Sequence, residues 1–295
     1  MRIAITGASG LIGRALVPQL RRNGHEVVRL VRRPATLADE VSWDPAAGTV
    51  DLEGLAGTEG VIHLAGAGVG DHRWTDEYKR EILNSRVDGT HTIVRAMRAL
   101  DPLPRVLVSG SAIGWYGDTG DRAVDEDAPA GDGFLADVVR AWEAAAEPAE
   151  ASGIRVVLAR TGLVVAKDGG AWGRMLPLFK AGIGGTLGSG RQYWSWISLR
   201  DEISALEYLV TNEDLFGPVN LTAPEPMTNA AITKAMGEIL HRPTILPVPS
   251  FALKIALGEF SSEVLGSARV IPGVLESTDF TWQDRTIDSA IRAVL

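Results

Sequence analysis

Met1-Arg-Ile-Ala-Ile-Thr-Gly-Ala-Ser-Gly-Leu-Ile-Gly13 opens the chain, and its reading decides the fold. The apolar run Ile3 to Ile5 ends at Thr6. Glycines follow at positions 7, 10 and 13, and apolar residues recur at Leu11, Ile12, Ala15, Leu16 and Leu20. The pattern passes from strand to helix across a tight turn. Each glycine stands where a side chain would obstruct. Gly7 lets the chain turn sharply off the strand, Gly10 lets backbone approach a diphosphate, and Gly13 lets the helix pack closely on the strand. The unpaired N–H groups and positive dipole end of the helix then face the phosphates. Three glycines alone also fit an ordinary turn. These follow a strand, open a helix and lead, after the helix stop Asn23-Gly24, to a second strand from Glu26 to Val31, which argues for a dinucleotide site.

The alternation continues outward from this unit. Gly60 to Ala65, Arg105 to Ser109 and Ile154 to Ala159 read as further buried strands, and Val219 to Leu221 returns as another. Trp43 to Asp51 reads as turns or a hairpin. A helix capped by Thr75, with Asp76 and Glu77 in its first turn, runs with or without a break towards Leu100, where Pro102 and Pro104 end it. Further helices are expected over Phe134 to Ala151, with Pro148 near its end, over Trp172 to Ala181, and over Leu199 to Thr211, where Asp201 is the expected N-cap. Strands alternating with helices imply an α/β fold with a doubly wound parallel sheet of the Rossmann type. Beyond Gly162 the regularity is lost, and residues 228–295 read as a mostly helical tail capped at Thr228. The expected division is a cofactor domain of residues 1–165 plus 191–222 and a smaller, mainly helical substrate lobe of residues 166–190 plus 223–295.

Composition narrows the classes of function. The 295 residues are 45% hydrophobic and 22% charged, enough for a sizeable core. A net charge of −8 argues against a general nucleic-acid or acidic-membrane binder, while leaving room for a local basic pocket. There is no cysteine, hence no disulfide, thiolate metal site or cysteine nucleophile. The five histidines are scattered singly, and no metal is expected. With no leader before the first strand and no stretch approaching a membrane span, the cytoplasm is the expected compartment. The expected partner is a small-molecule substrate, with no nucleic acid or membrane, for a monomer or homodimer.

In such sheets ligands bind beyond the carboxyl ends of the strands. After the second strand an NAD enzyme normally places an acid for the ribose 2′-hydroxyl. Here the chain reads Val31-Arg32-Arg33, and two guanidiniums suit a 2′-phosphate, so NADP is favoured. Small residues in His63-Leu64-Ala65-Gly66 allow backbone to approach the nicotinamide-side ribose, with His63 itself structural. In the loop from Ser109 to Asp118, the Ser111 hydroxyl and Tyr116 phenol could polarise a carbonyl or pass a proton. Trp194 and Trp196 read as packing residues.

These segments together resemble the extended, or atypical, short-chain dehydrogenase/reductases, and more narrowly their epimerase-like branch, the NAD-dependent epimerase/dehydratase family with its C-terminal domain. The resemblance rests on Thr6 to Gly13, His63 to Gly66, Arg73 to Tyr78 with Ser85-Arg86, Ser109 to Gly117, Phe134-Leu-Ala with Trp142-Glu143, Leu158 to Leu163, Trp196 to Asp201 and the tail from Val248. It implies an NADP cofactor held by Gly7, Ser9, Gly10, Leu11, Ile12 and Gly13, with Arg32 and Arg33 on the 2′-phosphate. Leu64, Ala65, Gly66 and Ser109 would line the cofactor and Arg160 and Thr161 would close over it. Ser111 falls on the active-site serine. The sequence departs from the family in one respect. None of its four tyrosines, Tyr78, Tyr116, Tyr193 and Tyr208, has a lysine four residues on, so the usual Tyr-x-x-x-Lys pair is missing. The expectation is an NADP-dependent oxidoreductase or epimerase-like enzyme on a small polar carbonyl or hydroxyl compound. The alternative is an NADP(H)-binding sensor or partner protein without turnover.

Overall fold

The computed structural model describes residues 1–295. Eight strands form one sheet: β1 (Arg2–Thr6), β2 (Glu26–Val31), β3 (Glu40–Asp44), β4 (Thr49–Val50), β5 (Gly60–His63), β6 (Val106–Ala112), β7 (Arg155–Thr161) and β8 (Gly217–Leu221). Their spatial order is β8-β7-β6-β5-β1-β2-β3-β4. All pairings are parallel except the β3–β4 hairpin, where Trp43 faces Val50. β1 lies between β2 and β5, with Ile3 opposite Val27 on one side and Gly60 on the other. The chain therefore reverses its direction of travel across the sheet at β1, which opens a crevice beyond its carboxyl end.

Seven helices have eight or more residues: α1 (Leu11–Arg22), α2 (Asp76–Ala99), α3 (Phe134–Ala144), α4 (Gly170–Lys180), α5 (Leu199–Thr211), α6 (Asn229–Leu240) and α7 (Ser250–Leu257). Strand side chains alternate between faces, so Ile3 and Ile5 join a core with Leu16 and Leu20 of α1 and Leu206 and Leu209 of α5. Ala4, Val28, Leu30 and Leu107 point the other way, to Ile93 and Met97 of α2. Both faces are covered, as a parallel sheet requires. A further core joins Trp172 and Phe179 of α4 to Ile232 and Met236 of α6 and to Trp196, which is buried packing as read from the sequence.

Thr75 and Thr228 cap α2 and α6 through their side chains, as expected. Other boundaries moved. β5 stops at His63 rather than Ala65, and α2 runs unbroken. The helix expected to reach Ala151 ends at Ala144, and a separate turn, Glu147–Glu150, carries Pro148 near its start, where a missing N–H costs nothing. Asp201 is not the cap of α5. Ser198 is, accepting from the Asp201 amide at 3.1 Å. The Asp201 carboxylate is fully buried and accepts from the amides of Gln283 (2.7 Å) and Asp284 (3.0 Å), fastening the C-terminal segment to α5.

Candidate active site

The turn between β1 and α1 is built on close approach. Gly7 has φ +71°, and a Cβ there would lie 2.9 Å from the Leu64 carbonyl carbon. A Cβ on Gly13 would lie 2.3 Å from the Gly7 oxygen. At Gly10 the nearest such atom is the Gly7 oxygen at 3.2 Å, and Ser9 beside it is exposed. No side chain caps α1 and no acid stands in its first turn. The amides at this helix start thus face an approaching anion without competition. This cradle fits a dinucleotide's diphosphate.

Thr6, which the sequence reading left unassigned, ties the cradle to the neighbouring loop. Its hydroxyl accepts from the amides of Leu64 and Ala65, both at 3.1 Å. Both lone pairs are then occupied, so the hydroxyl proton goes to His63 Nδ1 at 2.7 Å and the ring carries its own proton on Nε2. His63 is fully buried, and desolvation lowers it to about 4, so it is neutral at physiological pH. It is structural, as expected.

At the end of β2 the two expected arginines differ. Arg33 is half exposed and forks onto Glu40 through Nη1 (2.9 Å) and Nη2 (2.6 Å). The Arg33 hydrogen bonds and the Thr36 amide hold the Glu40 carboxyl down at about 2. Arg29 forks onto Asp39 with both bonds at 2.8 Å, and its Nη2 also lies 3.3 Å from the Glu40 oxygen that Arg33 holds. Arg32 is exposed, and the ion pairs of this edge pass it by. The sequence showed the arginines but not the acids, which arrive from the start of β3.

Beyond β6 a buried polar chain begins. The Ser111 hydroxyl donates to Glu143 Oε1 at 2.5 Å. Arg160 forks onto the same carboxylate from Nε (2.8 Å) and Nη2 (2.9 Å). Its Nη1 donates to the Tyr116 hydroxyl at 3.0 Å, and that hydroxyl donates to Asn220 Oδ1 at 2.8 Å. The guanidinium also lies 4.1 Å over the Trp115 ring. Tyr116 is only 3% exposed, and burial raises its pKa. Ser111 and Arg160 therefore share one buried assembly. Ser109 is buried beside it, donating to the Gly110 carbonyl at 3.3 Å. Thr161 turns to the opposite face and donates to Glu202 Oε1 at 2.7 Å. Glu202 is fully buried, and burial raises it to about 8 despite that bond.

α3 meets the serine loop with an apolar pair. A Cβ on Gly114 would lie 3.4 Å from Leu135 Cβ and 3.8 Å from Val139 Cγ2. Those positions are one turn apart, the spacing of a phenol and its lysine, and neither can move a proton. Glu143 is one turn further, on the stripe with Ala136 and Val139. An acid on an apolar stripe was the signal available for it in the sequence.

Comparison with known proteins gives the fold its lineage. Residues 3–221 match the NAD dependent epimerase/dehydratase family, and residues 248–294 match a domain of unknown function, DUF1731. The chain belongs to the NAD dependent epimerase/dehydratase family. An epimerase family protein of Mycobacterium tuberculosis is 45% identical over 98% of this chain and 96% of its own length. The crystal structure of human epimerase family protein SDR39U1 with NADPH superposes with a TM-score of 0.91, at 29% identity over 100% of this chain and 99% of that one. UDP-glucose 4-epimerase of Thermus thermophilus, in complex with NAD, shares the fold at TM-score 0.76, 18% identity and 100% and 97% coverage. As an epimerase/dehydratase family member the chain has an NAD(P)-binding Rossmann-like fold. No helix is long and apolar enough to cross a membrane.

Proposed function

We propose that the chain is an NADP-dependent oxidoreductase or epimerase-like enzyme acting on a small polar carbonyl or hydroxyl compound. The observation that carries this reading is the uncapped, acid-free start of α1 beside an unpaired Arg32. In it the amides from Gly7 to Gly13, with Ser9, Leu11 and Ile12, hold the diphosphate. Arg32 takes the 2′-phosphate, with Arg33 in support. Leu64, Ala65, Gly66 and Ser109 line the nicotinamide half, while Arg160 and Thr161 shape its floor through Glu143 and Glu202. Residues 1–165 plus 191–222 form the cofactor domain, and 166–190 plus 223–295 close over the substrate. The bound nucleotide would supply or accept a hydride. Ser111 would meet the substrate oxygen. Its proton already points to Glu143, so it receives a substrate hydroxyl as an acceptor, and Tyr116 acts from behind by positioning Arg160.

One observation favours a second reading, an NADP(H)-binding sensor without turnover: the face of α3 that meets the serine loop carries Leu135 and Val139, with neither a phenol nor a lysine on the helix. Titration calorimetry with NADPH and NADH tests the shared step. Tighter NADPH binding is expected, and no heat with either nucleotide removes both readings. Screening carbonyl and hydroxyl compounds for NADPH oxidation or NADP reduction then separates enzyme from sensor.

A further inference from the structure

α2 carries a guanidinium whose charge no acid in the chain cancels. Arg86 lies on the buried stripe of its helix, one turn after Ile82 and one turn before Gly89 and Thr90. Its Nη1 donates to the carbonyls of Ile82 (2.9 Å) and Ala67 (3.0 Å), and its Cζ sits 5.0 Å over the Trp142 ring. A Cβ on Gly66 would lie 3.3 Å from Arg86 Cγ and 3.5 Å from Nη1, so the side chain runs directly under the loop that follows β5. Burial lowers it to about 10, which leaves it charged at neutral pH.

The other enclosed arginines have an internal explanation. Arg160 is forked onto Glu143. Arg155 donates to the carbonyls of Leu209 and Val210 in the last turn of α5, where the helix dipole is negative, and to that of Leu215 beyond it. Arg86 has neither a carboxylate nor a helix end, since Ile82 is interior to α2. Arg86 is part-buried, and its Nε and Nη2 have no partner in the chain, so it presents an uncancelled positive charge that an anionic ligand can meet. The surroundings say where that ligand sits. Trp142, on which Arg86 stacks, precedes Glu143, the acceptor of the Ser111 proton. A Cβ on Gly110 would lie 2.9 Å from the same Trp142 ring. Arg86, Trp142, Gly110 and Ser111 thus form one wall, beneath a loop that lines the cofactor.

We propose that Arg86 is a substrate-binding residue that pairs with a carboxylate or phosphate group of the substrate beside Ser111. This rests on the NADP reading above. It narrows the substrate class to anionic hydroxy or oxo compounds, and it places the site's free cation on α2 where α3 offers only Leu135 and Val139.

The test titrates NADPH-saturated protein with acetate and with inorganic phosphate at low chloride, following Trp142-sensitive fluorescence. The wild type is expected to show saturable binding of at least one anion. Arg86→Gln should weaken it at least ~10-fold, equivalent to about 1.4 kcal/mol, and Arg86→Lys should restore part of it. NADPH affinity should stay within about twofold in both, because the anion site is separate from the α1 cradle. Three results would overturn the proposal. The loaded wild type ignores both anions. Arg86→Gln binds them as well as wild type. Or Arg86→Gln loses NADPH, which would assign the guanidinium to the cofactor's own phosphates. If Arg86→Gln does not fold, the wild-type titration and Arg86→Lys decide: anion binding in the first and unchanged affinity in the second would also reject the pairing. If NADPH itself does not bind, the cofactor reading falls separately. The same titration of free protein then keeps the anion site if Arg86→Gln abolishes it and rejects it otherwise.

Discussion

The Ser111 hydroxyl has one proton, and Glu143 receives it at 2.5 Å. What remains to face a ligand is an oxygen with lone pairs. On a substrate found by screening, Ser111→Ala should lower kcat by about 10²-fold while leaving NADPH affinity unchanged. Steady-state kinetics beside a nucleotide titration check this, and full turnover would remove Ser111 from the mechanism. Tyr116→Phe should cost less than about tenfold, because the phenol's partners are Asn220 and Arg160 rather than the crevice. The two arginines after β2 should also separate. Arg32→Ala should reduce the preference for NADPH over NADH by about tenfold, the loss of one charged phosphate contact. Arg33→Ala should reduce it less and lower the melting temperature slightly as well, since it takes the forked partner from the enclosed Glu40 carboxylate and leaves it Arg29 at 3.3 Å and the Thr36 amide. Equal effects of both variants on the nucleotide ratio, with no change in melting, would contradict this division.

Among the elements, β1 and α1 were legible in the sequence because the glycines are demanded locally, by backbone contact. Gly13→Ala would place a methyl 2.3 Å from the Gly7 oxygen, where no flexible side chain can yield. It should destabilise the protein by at least about 3 kcal/mol and abolish nucleotide binding, as thermal melts and calorimetry would report. The strand ladder was legible for the same kind of reason, since period and turn residues are local. Ser198 as cap, the Glu40 clamp and the Ser111–Glu143–Arg160 chain were not. Each joins residues through folding rather than spacing, and at position 201 an aspartate near a helix start imitates a cap. Glu202 was equally hidden, and it has a pH signature. Its carboxyl is raised to about 8 by burial, above the ordinary value near 4.5. The folded state therefore holds the proton more tightly, so its stabilising contribution is complete below about pH 4.5 and is lost as pH rises through 8. Glu202→Gln keeps an acceptor for Thr161 and cannot ionise. It should melt close to wild type at pH 5 and several degrees higher at pH 8.5, a gain of about 2 kcal/mol after allowing for relaxation around the charge. Parallel loss of stability in both proteins across this range would show that another group carries it.

At the scale of the whole molecule, the loop after β5 and the start of α2 are fastened to α4 and to the C-terminal segment by contacts of unequal worth. Lys79 meets Glu259 at 2.6 Å and Arg174 meets Asp71 at 2.8 Å, both pairs being exposed or nearly so. Such pairs contribute little in water, with a median of about 0–1 kcal/mol. Arg73 adds a bond to the Ile255 carbonyl at 3.0 Å. The apolar contact is of another kind. Trp74 is 8% exposed and stacks edge-on against Phe134 of α3 at 4.9 Å and tilted against Phe260 at 5.4 Å, so one indole joins α3, the loop and the tail. An aromatic pair adds about 0.5–1.5 kcal/mol to the burial of its own surface. Removal of Phe260 should therefore loosen residues 245–265 from the loop while leaving the sheet, whose cores lie elsewhere, almost untouched. Phe260→Ala should speed amide exchange and limited proteolysis across 245–265 and raise KM more than it lowers kcat, with only a small fall in the main melting transition. Lys79→Ala should do none of these measurably. If the two variants loosened the segment equally, charge rather than aromatic packing would hold the tail to the loop, and raising the salt concentration would then free it in the wild type.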